Sequence, residues 1–188
     1  MPLIPIATPE FDIDIALAYA TADNVTGKPI YRQAEAQLHP QAAEALQRAI
    51  ALAAPLGLRF RVFDAFRPVE AQWCLWEAFP DPEFVADPRL GSNHTRGVAV
   101  DLTLIDAASG VELDMGTGFD DFRPAAHHGR SDVSVEAQRN RAILLGVMTA
   151  AGWDWNRYEW WHYQLFDPRR YPLLSDTAAP RALMGEHT

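Results

Sequence analysis

The sequence predicts one domain that contains both α-helices and β-strands. Apolar residues recur at helical spacing after Pro40 and after Ser134, whereas they alternate with other residues from Leu58 and from Val98. A turn-rich stretch at 106–110 follows the second alternating segment and predicts a hairpin, so we expect an antiparallel strand pair there. A chain of 188 residues is long enough for one domain with its own core and short for two.

The first half of the chain is predicted to form a helix, a strand and a second helix. The first helix begins at Pro40 and ends before Gly57. Its buried face is expected to hold four residues at helical spacing: Ala43, Leu46, Ile50 and Ala53. The strand covers residues 58–62, where apolar residues alternate with arginines. Pro68 suits the first turn of the second helix, which covers residues 69–77.

The second half is predicted to add a strand, a long helix and a last strand. Residues 98–104 alternate between large and small side chains, which is the period of a half-buried strand. Ser134 can cap the long helix. The buried stripe of this helix is expected to hold five residues: Ile143, Leu144, Val147, Met148 and Ala151. The last strand is expected to contain Trp161, Tyr163 and Leu165. Beyond Thr177 we expect a weakly ordered tail.

Charge and composition argue against several classes of protein. The formal charge of −9 and the scattered basic residues argue against binding to a nucleic acid backbone. Cys74 is the only cysteine, which excludes a disulfide within the chain and a cysteine-based zinc site. No apolar run approaches the roughly 18 residues that a membrane span needs, and no export signal is visible. We therefore expect a cytoplasmic protein without a nucleic acid or membrane partner, acting on a small molecule.

His94 and Asp101 are the first candidate metal ligands. Asp101 lies in the middle of the predicted strand, where a lone carboxylate is costly unless a cation or several donors satisfy it. His94 lies just upstream, and Gly91 and Gly97 indicate a loop that can fold it back over the strand. The alternative is that His94 caps a turn and that Asp101 pairs with an arginine.

Glu159 and His162 form the second half of the candidate site. Residues three apart share a helix face but lie on opposite faces of a regular strand, so the chain must bend near Glu159 if both act on one ion. The alternative is an aromatic core strand that holds a histidine with satisfied hydrogen bonds. Together with His94 and Asp101, however, His162 completes a common catalytic zinc set with a fourth position left open for water.

A catalytic zinc site also needs a base and a partner for negative charge. Zinc lowers the pKa of its bound water towards about 7. A carboxylate that is not a ligand can take the proton from that water and pass it to a leaving amine, and Glu159 is the candidate. Arg67 lies at a predicted strand-to-helix junction, where a guanidinium could stabilise the attacked carbonyl oxygen by about 3 kcal/mol. The alternative for Arg67 is an ordinary surface arginine.

Five motifs that include these residues resemble the zinc D-alanyl-D-alanine dipeptidases, the vancomycin-resistance enzymes and their relatives among the zinc D,D-peptidases. They occur in the family's order and span roughly residues 19–166. The motifs are Tyr19-Ala20-Thr21-x-Asp23-Asn24-x-Thr26-Gly27, Asp64-x-x-Arg67-Pro68, Ser92-x-His94-x-x-Gly97-x-Ala99-x-Asp101, Met115-Gly116-x-x-Phe119-Asp120 with His127-His128 after it, and Glu159-Trp160-Trp161-His162.

The resemblance implies an α+β fold, with a central antiparallel sheet that carries the site and helices packed against it. It implies one zinc per chain, bound by His94, Asp101 and His162. It also implies that Glu159 is the general base and acid, and that Arg67 stabilises the tetrahedral intermediate. Four residues are expected in the substrate pocket: Tyr19, Asp64, Ser92 and Asp120. Of these, Tyr19 and Asp120 are expected to hold the substrate's free amino group.

The activity that the resemblance implies is hydrolysis of D-Ala-D-Ala to two D-alanines. One alternative is a zinc D,D-carboxypeptidase that trims peptidoglycan precursors. Another is a non-catalytic zinc-binding module on the same scaffold, although Glu159 and Arg67 argue against it. Asn93 stands where the resistance enzymes have serine, which leaves the exclusion of longer peptides open. The sequence also leaves open the oligomeric state, and whether the role is antibiotic resistance or recycling of D-alanine.

Overall fold

The computed structural model describes residues 2–7, 9–82 and 84–185 of the chain. Its helices are α1 (Pro40–Ala53), α2 (Val69–Ala78) and α3 (Val135–Ala150). Its strands are β1 (Ile4–Pro5), β2 (Ile13–Ile15), β3 (Gln37–Leu38), β4 (Leu58–Asp64), β5 (Ala99–Asp106), β6 (Asp154–Trp155) and β7 (His162–Gln164). The predicted mixture of helices and strands is confirmed.

Five strands form the main sheet in the order β2-β4-β5-β7-β6, while β1 and β3 form a separate antiparallel pair. The contacts of β4 with β5, β5 with β7 and β6 with β7 are all antiparallel. The α+β fold with a central antiparallel sheet is therefore confirmed. One edge differs, because β2 lies parallel to β4. The connection between them runs through β3 and α1, which is long enough for parallel pairing.

The central strand β5 is more buried than its sequence pattern predicts. Every residue from Ala99 to Ile105 is buried, so the prediction of a half-buried strand is wrong. Leu102 and Leu104 belong to the hydrophobic core. Thr103, on the opposite face, lies below the segment 112–119, with which it lines a small cavity. The alternation therefore separates two buried surfaces, one apolar and one that carries the polar side chains of the site.

Helix α3 begins at the predicted cap, since Ser134 Oγ accepts a hydrogen bond from the Ala137 N–H at 3.0 Å. Leu144, Val147, Met148 and Ala151 are buried as predicted. Ile143 is 38% exposed, so its assignment to the buried stripe is wrong. The buried face is instead rotated towards Arg141, which donates to the carbonyl oxygens of Met115, Ala125 and His127. Arg141 thereby ties the loop 115–127 to the helix.

Two further segments differ from the sequence-based expectation. A second hairpin strand is expected at 111–113, but the structure has one antiparallel bridge there, between Ile105 and Glu112. Instead of a weakly ordered tail, the segment up to residue 185 packs against the fold: Leu183 is buried and donates its N–H to Asp176 Oδ1 at 2.7 Å. Residues 186–188 lie outside the described ranges. Within those ranges, no helix is long and apolar enough to cross a membrane.

Candidate metal and catalytic site

Strands β5 and β7 place two of the candidate ligands side by side. Asp101 and His162 are direct partners in the antiparallel register, so their side chains lie on the same face of the sheet. Asp64 at the end of β4 also lies opposite Asp101, because the register shifts after Val62. Such a bulge re-aims a side chain, and here it turns Asp64 towards the same site.

A tight turn brings His94 to these two residues. Residues His94–Arg96 form one 3-10 turn, which Gly97 ends with a φ of 68°. The positive φ favours glycine at this position, and a Cβ atom there would lie 2.5 Å from Leu3 Cδ2, so the Leu3 side chain would have to shift. The predicted loop that folds His94 back over the strand is therefore present.

We call His94, Asp101 and His162 the metal triad. Their donor atoms face a common point, and the two oxygens of Asp101 each lie near one of the histidines. His94 Nε2 lies 3.1 Å from His162 Nδ1 and 3.2 Å from Asp101 Oδ2. His162 Nδ1 lies 2.9 Å from Asp101 Oδ1. Ligand atoms held about 2.0–2.1 Å from a tetrahedral zinc lie about 3.3 Å apart. The chemistry and the spacing of the donors therefore fit a tetrahedral metal ion with its fourth position left for another ligand.

The second ring nitrogen of each histidine has its own partner. His94 Nδ1 lies 2.7 Å from the carbonyl oxygen of Ala65, which can only accept, so Nδ1 carries the hydrogen. His162 Nε2 lies 2.8 Å from Gln164 Oε1. Both partners leave the lone pair of the other nitrogen facing the common point. This is the arrangement that orients metal-binding histidines.

The two histidines also control the charge of Asp101. Burial acts to raise the pKa of this carboxyl, but His94 and His162 outweigh burial and hold it well below its ordinary value. Burial likewise acts to lower the pKa of His162, and the nearby Asp101 carboxylate outweighs burial and raises this pKa. Asp101 is therefore ionised at neutral pH, as a metal ligand must be.

Glu159 lies between the turn residues 157–158 and 160–161, shortly before β7, so the bend predicted there is present. Its Oε2 atom lies 3.9 Å from His162 Nδ1 and accepts a hydrogen bond of 2.7 Å from Asn156 Nδ2. Burial raises the pKa of the Glu159 carboxyl, while the nearby His162 opposes the rise. A carboxyl beside the metal triad with a raised pKa is suited to taking up and returning a proton.

Arg67 is buried beside the metal triad rather than on the surface, so the surface alternative is wrong. Its Nε and one terminal nitrogen lie 2.8 and 2.7 Å from Asp64 Oδ2. Its other terminal nitrogen donates to Gln72 Oε1 at 3.1 Å. The guanidinium also lies 3.8 Å from Asp101 Oδ2. These partners hold a fixed cation next to the point on which the donor atoms converge.

Asp64 does not occupy the position expected of a substrate-binding residue. It is fully buried and is not among the residues that line the cavity. One of its oxygens binds Arg67, and the other accepts a hydrogen bond of 2.9 Å from Tyr31 Oη. The expectation of substrate contact is wrong for this residue, because Asp64 lies behind Arg67 and supports its guanidinium.

One cavity of about 430 Å³ joins these groups. The metal triad, Glu159 and Arg67 line it together with Tyr19, Ser92 and Asp120. Tyr19 Oη donates to Asp120 Oδ2 at 3.1 Å. Burial, opposed by the charge of Arg67, raises the pKa of Asp120 to about 7. Ser92 Oγ accepts the His94 N–H at 3.2 Å. The structure thus brings together eight of the nine predicted site residues.

The structure adds three polar residues that the sequence interpretation missed. Gln164, Gln72 and Asn156 bind His162, Arg67 and Glu159 respectively. Gln164 could have been found, because it lies two residues after His162 and so shares its strand face. Gln72 shows no such signal, because it lies on α2 whereas Arg67 lies in the segment between β4 and α2, so no shared strand face or helix face predicts their contact.

The chain is similar in sequence to proteins named D-alanyl-D-alanine dipeptidase. The family model described as Peptidase_M15, D-ala-D-ala dipeptidase, matches residues 2–178. A D-alanyl-D-alanine dipeptidase of Escherichia coli (strain K12) is 46% identical over 174 residues, covering 93% of this chain and 90% of the relative. Proteins of the same name from Enterococcus faecalis and Streptomyces coelicolor are 32% and 34% identical, covering 79% and 78% of this chain and 84% and 83% of those relatives.

Proposed function

The chain belongs to the D-Ala-D-Ala dipeptidase family of metallopeptidases, and from that premise we propose that it hydrolyses D-Ala-D-Ala to two D-alanines. One observation carries the proposal. A single cavity holds a three-donor metal triad, an acid that is not a donor and a fixed guanidinium. A purely structural metal site has no use for the last two groups. A cytoplasmic location stays a prediction.

His94, Asp101 and His162 hold one zinc per chain in this proposal. The set of two neutral imidazoles and a carboxylate suits zinc and leaves a position for catalysis. When bound, zinc supplies a Lewis acid that activates water and polarises a carbonyl group. Ala65 and Gln164 keep the two imidazoles in the tautomers that the ion requires.

Glu159 acts as the general base and then as the general acid. It takes the proton from the attacking water and delivers it to the nitrogen of the amine that leaves. The hydrogen bond from Asn156 fixes one of its oxygens, so the carboxyl keeps one orientation in the cavity. Burial raises the pKa of this carboxyl in the direction of neutral pH. A pKa near the working pH makes both proton transfers efficient.

Arg67 stabilises the oxygen that gains negative charge when the carbonyl carbon is attacked. Asp64 and Gln72 hold its guanidinium in place before the reaction begins. A donor fixed in this way does not have to reorganise in the transition state.

Asp120 binds the free ammonium group of the dipeptide, and Tyr19 holds the carboxylate of Asp120 towards it. An acid with a raised pKa gains most from such a partner, because pairing with a cation restores its ionised form. Ser92 lines the same cavity and completes the proposed substrate contacts.

A D,D-carboxypeptidase acting on longer peptides is the alternative, and Asp120 distinguishes the two. An acylated or extended substrate brings bulk and no charge to Asp120, so it leaves this partly buried carboxylate unpaired. The test is hydrolysis by zinc-loaded protein of D-Ala-D-Ala, L-Ala-L-Ala, N-acetyl-D-Ala-D-Ala and a tripeptide that ends in D-Ala-D-Ala. We expect turnover of D-Ala-D-Ala alone. Comparable turnover of the acetylated dipeptide or the tripeptide would favour the carboxypeptidase, and no turnover would contradict both.

A further inference from the structure

Among the described residues, two arginines line the cavity. They differ in burial and in the partners of their guanidinium groups. Arg67 is buried and bound to Asp64 and Gln72. Arg157 lies in the turn between β6 and β7 and is exposed. No hydrogen bond or ion pair of the Arg157 side chain occurs within the described part of the chain; only its backbone oxygen is engaged, by the His128 N–H at 3.1 Å.

The order of the strands in the sheet shows which residues lie towards each end of the cavity. Tyr19 follows β2 at one edge of the sheet, and its hydroxyl binds Asp120. Arg157 lies in the turn that joins β6, the opposite edge, to β7. Asp101 on β5 and His162 on β7 lie between these edges. Tyr19, which binds the proposed ammonium partner Asp120, and Arg157 therefore lie on opposite sides of the strands that carry Asp101 and His162.

A dipeptide with two free ends carries an ammonium group on one side of its peptide bond and a carboxylate on the other. The carboxylate cannot be placed beside Asp120 or Glu159, since like charges repel in a partly buried cavity. It needs a cation on the side away from Asp120. The guanidinium of Arg157 matches a carboxylate because its fork of donors can bind both oxygens.

We propose that Arg157 binds the C-terminal carboxylate of the dipeptide and thereby selects substrates whose C-terminus is free. The inference rests on the proposed dipeptidase function. It adds that the C-terminal D-alanine, which leaves in the reaction, lies on the Arg157 side of the cavity. Because the Arg157 side chain has no hydrogen bond or ion pair within the described part of the chain, replacing it leaves the hydrogen bonds of the fold intact, including the one that its backbone oxygen accepts from His128. The position of Arg157 two residues before Glu159 places that recognition next to the base.

The experiment compares D-Ala-D-Ala with D-alanyl-D-alaninamide, in which the terminal charge is removed. We expect the native protein to show a KM for the amide that is about three- to tenfold higher, as for an exposed charged pair. In Arg157→Ala the KM for the free acid should rise to that for the amide, with little change in kcat. Arg157→Lys should keep part of the preference. Raising the salt concentration should raise the KM for the acid and not for the amide, since exposed charges are screened.

Arg130→Ala is the matched control, because it also removes one exposed arginine and does not line the cavity. It should keep the native preference for the free acid. Equal KM values for acid and amide in the native protein, or an unchanged preference in Arg157→Ala, would overturn the inference while leaving the dipeptidase function intact. Failure of the zinc-loaded native protein to cut either compound would overturn the function and the inference with it.

Discussion

Gln164 Oε1 lies 2.8 Å from His162 Nε2, and the other end of the same amide donates to Asp154 Oδ2 at 3.3 Å. A carboxylate can only accept, so Asp154 determines that Gln164 turns its nitrogen outward and its oxygen towards His162. The Nε2 atom of His162 must then carry the hydrogen, and Nδ1 keeps its lone pair for the metal ion. The contact between Gln164 and Asp154, at the edge of the sheet, thus determines which ring nitrogen of His162 is available to the metal ion.

Removing the Gln164 amide should weaken zinc binding. Gln164→Leu keeps the bulk of the side chain but leaves His162 free to adopt either tautomer, so we expect zinc affinity to fall about 10- to 100-fold. Competition with a chromophoric chelator measures the affinity without any assay of hydrolysis. Gln72→Leu is the matched control, because its amide binds Arg67 rather than a ligand. A zinc affinity of Gln164→Leu within twofold of the native value would show that the contact is incidental.

Arg67 should matter for the rate and much less for binding. The negative charge that it stabilises exists only along the reaction, so Arg67→Ala should lower kcat about 10²- to 10³-fold with a modest change in KM. Gln72→Leu should change kcat in the same direction by less, since Asp64 still holds the guanidinium. Steady-state kinetics separate the two parameters. An effect confined to KM would instead make Arg67 a partner for the bound substrate.

Asp120 should give the activity a pH dependence of known direction. Burial raises the pKa of its carboxyl to about 7, so the fraction ionised in the free protein falls as the pH drops below that value. The ammonium of the substrate pairs only with the ionised form. The ratio of kcat/KM for native protein to that for Asp120→Asn should therefore rise between about pH 5.5 and 7.5, while the substrate stays protonated. Glu159 is present in both proteins, so most of its own titration cancels in the ratio. A ratio independent of pH would contradict this role for Asp120.

The sequence predicted most of the site because its chemistry lies in short motifs. The spacing of His94 from Asp101 and of Glu159 from His162 specifies a loop, a strand and a bend, all of which the structure contains. Asp64 shows where this reasoning fails. The motif places it three residues before Arg67, but only the bulge after Val62 reveals that it lies behind the guanidinium.

The fold was predictable to a similar extent. Periodicity correctly predicted α1, β4 and the start of α3. It could not predict that β5 is covered on both faces, since alternating large and small residues look alike whether the second face meets solvent or a loop. Ile143 was misplaced because a long-range partner of Arg141, the loop 115–127, decides which face of α3 is buried.

The division of labour between the metal triad and Glu159 is tested most directly by one variant, Glu159→Gln. The substitution keeps the size of the side chain but removes its ability to accept and return a proton. Zinc content and the rate of D-Ala-D-Ala hydrolysis are measured on the same preparation. We predict about one zinc per chain, as in native protein, and a kcat lower by at least about 10²-fold. Loss of the zinc would make Glu159 a ligand, and a rate close to native would place the catalytic base elsewhere; either result would contradict the account.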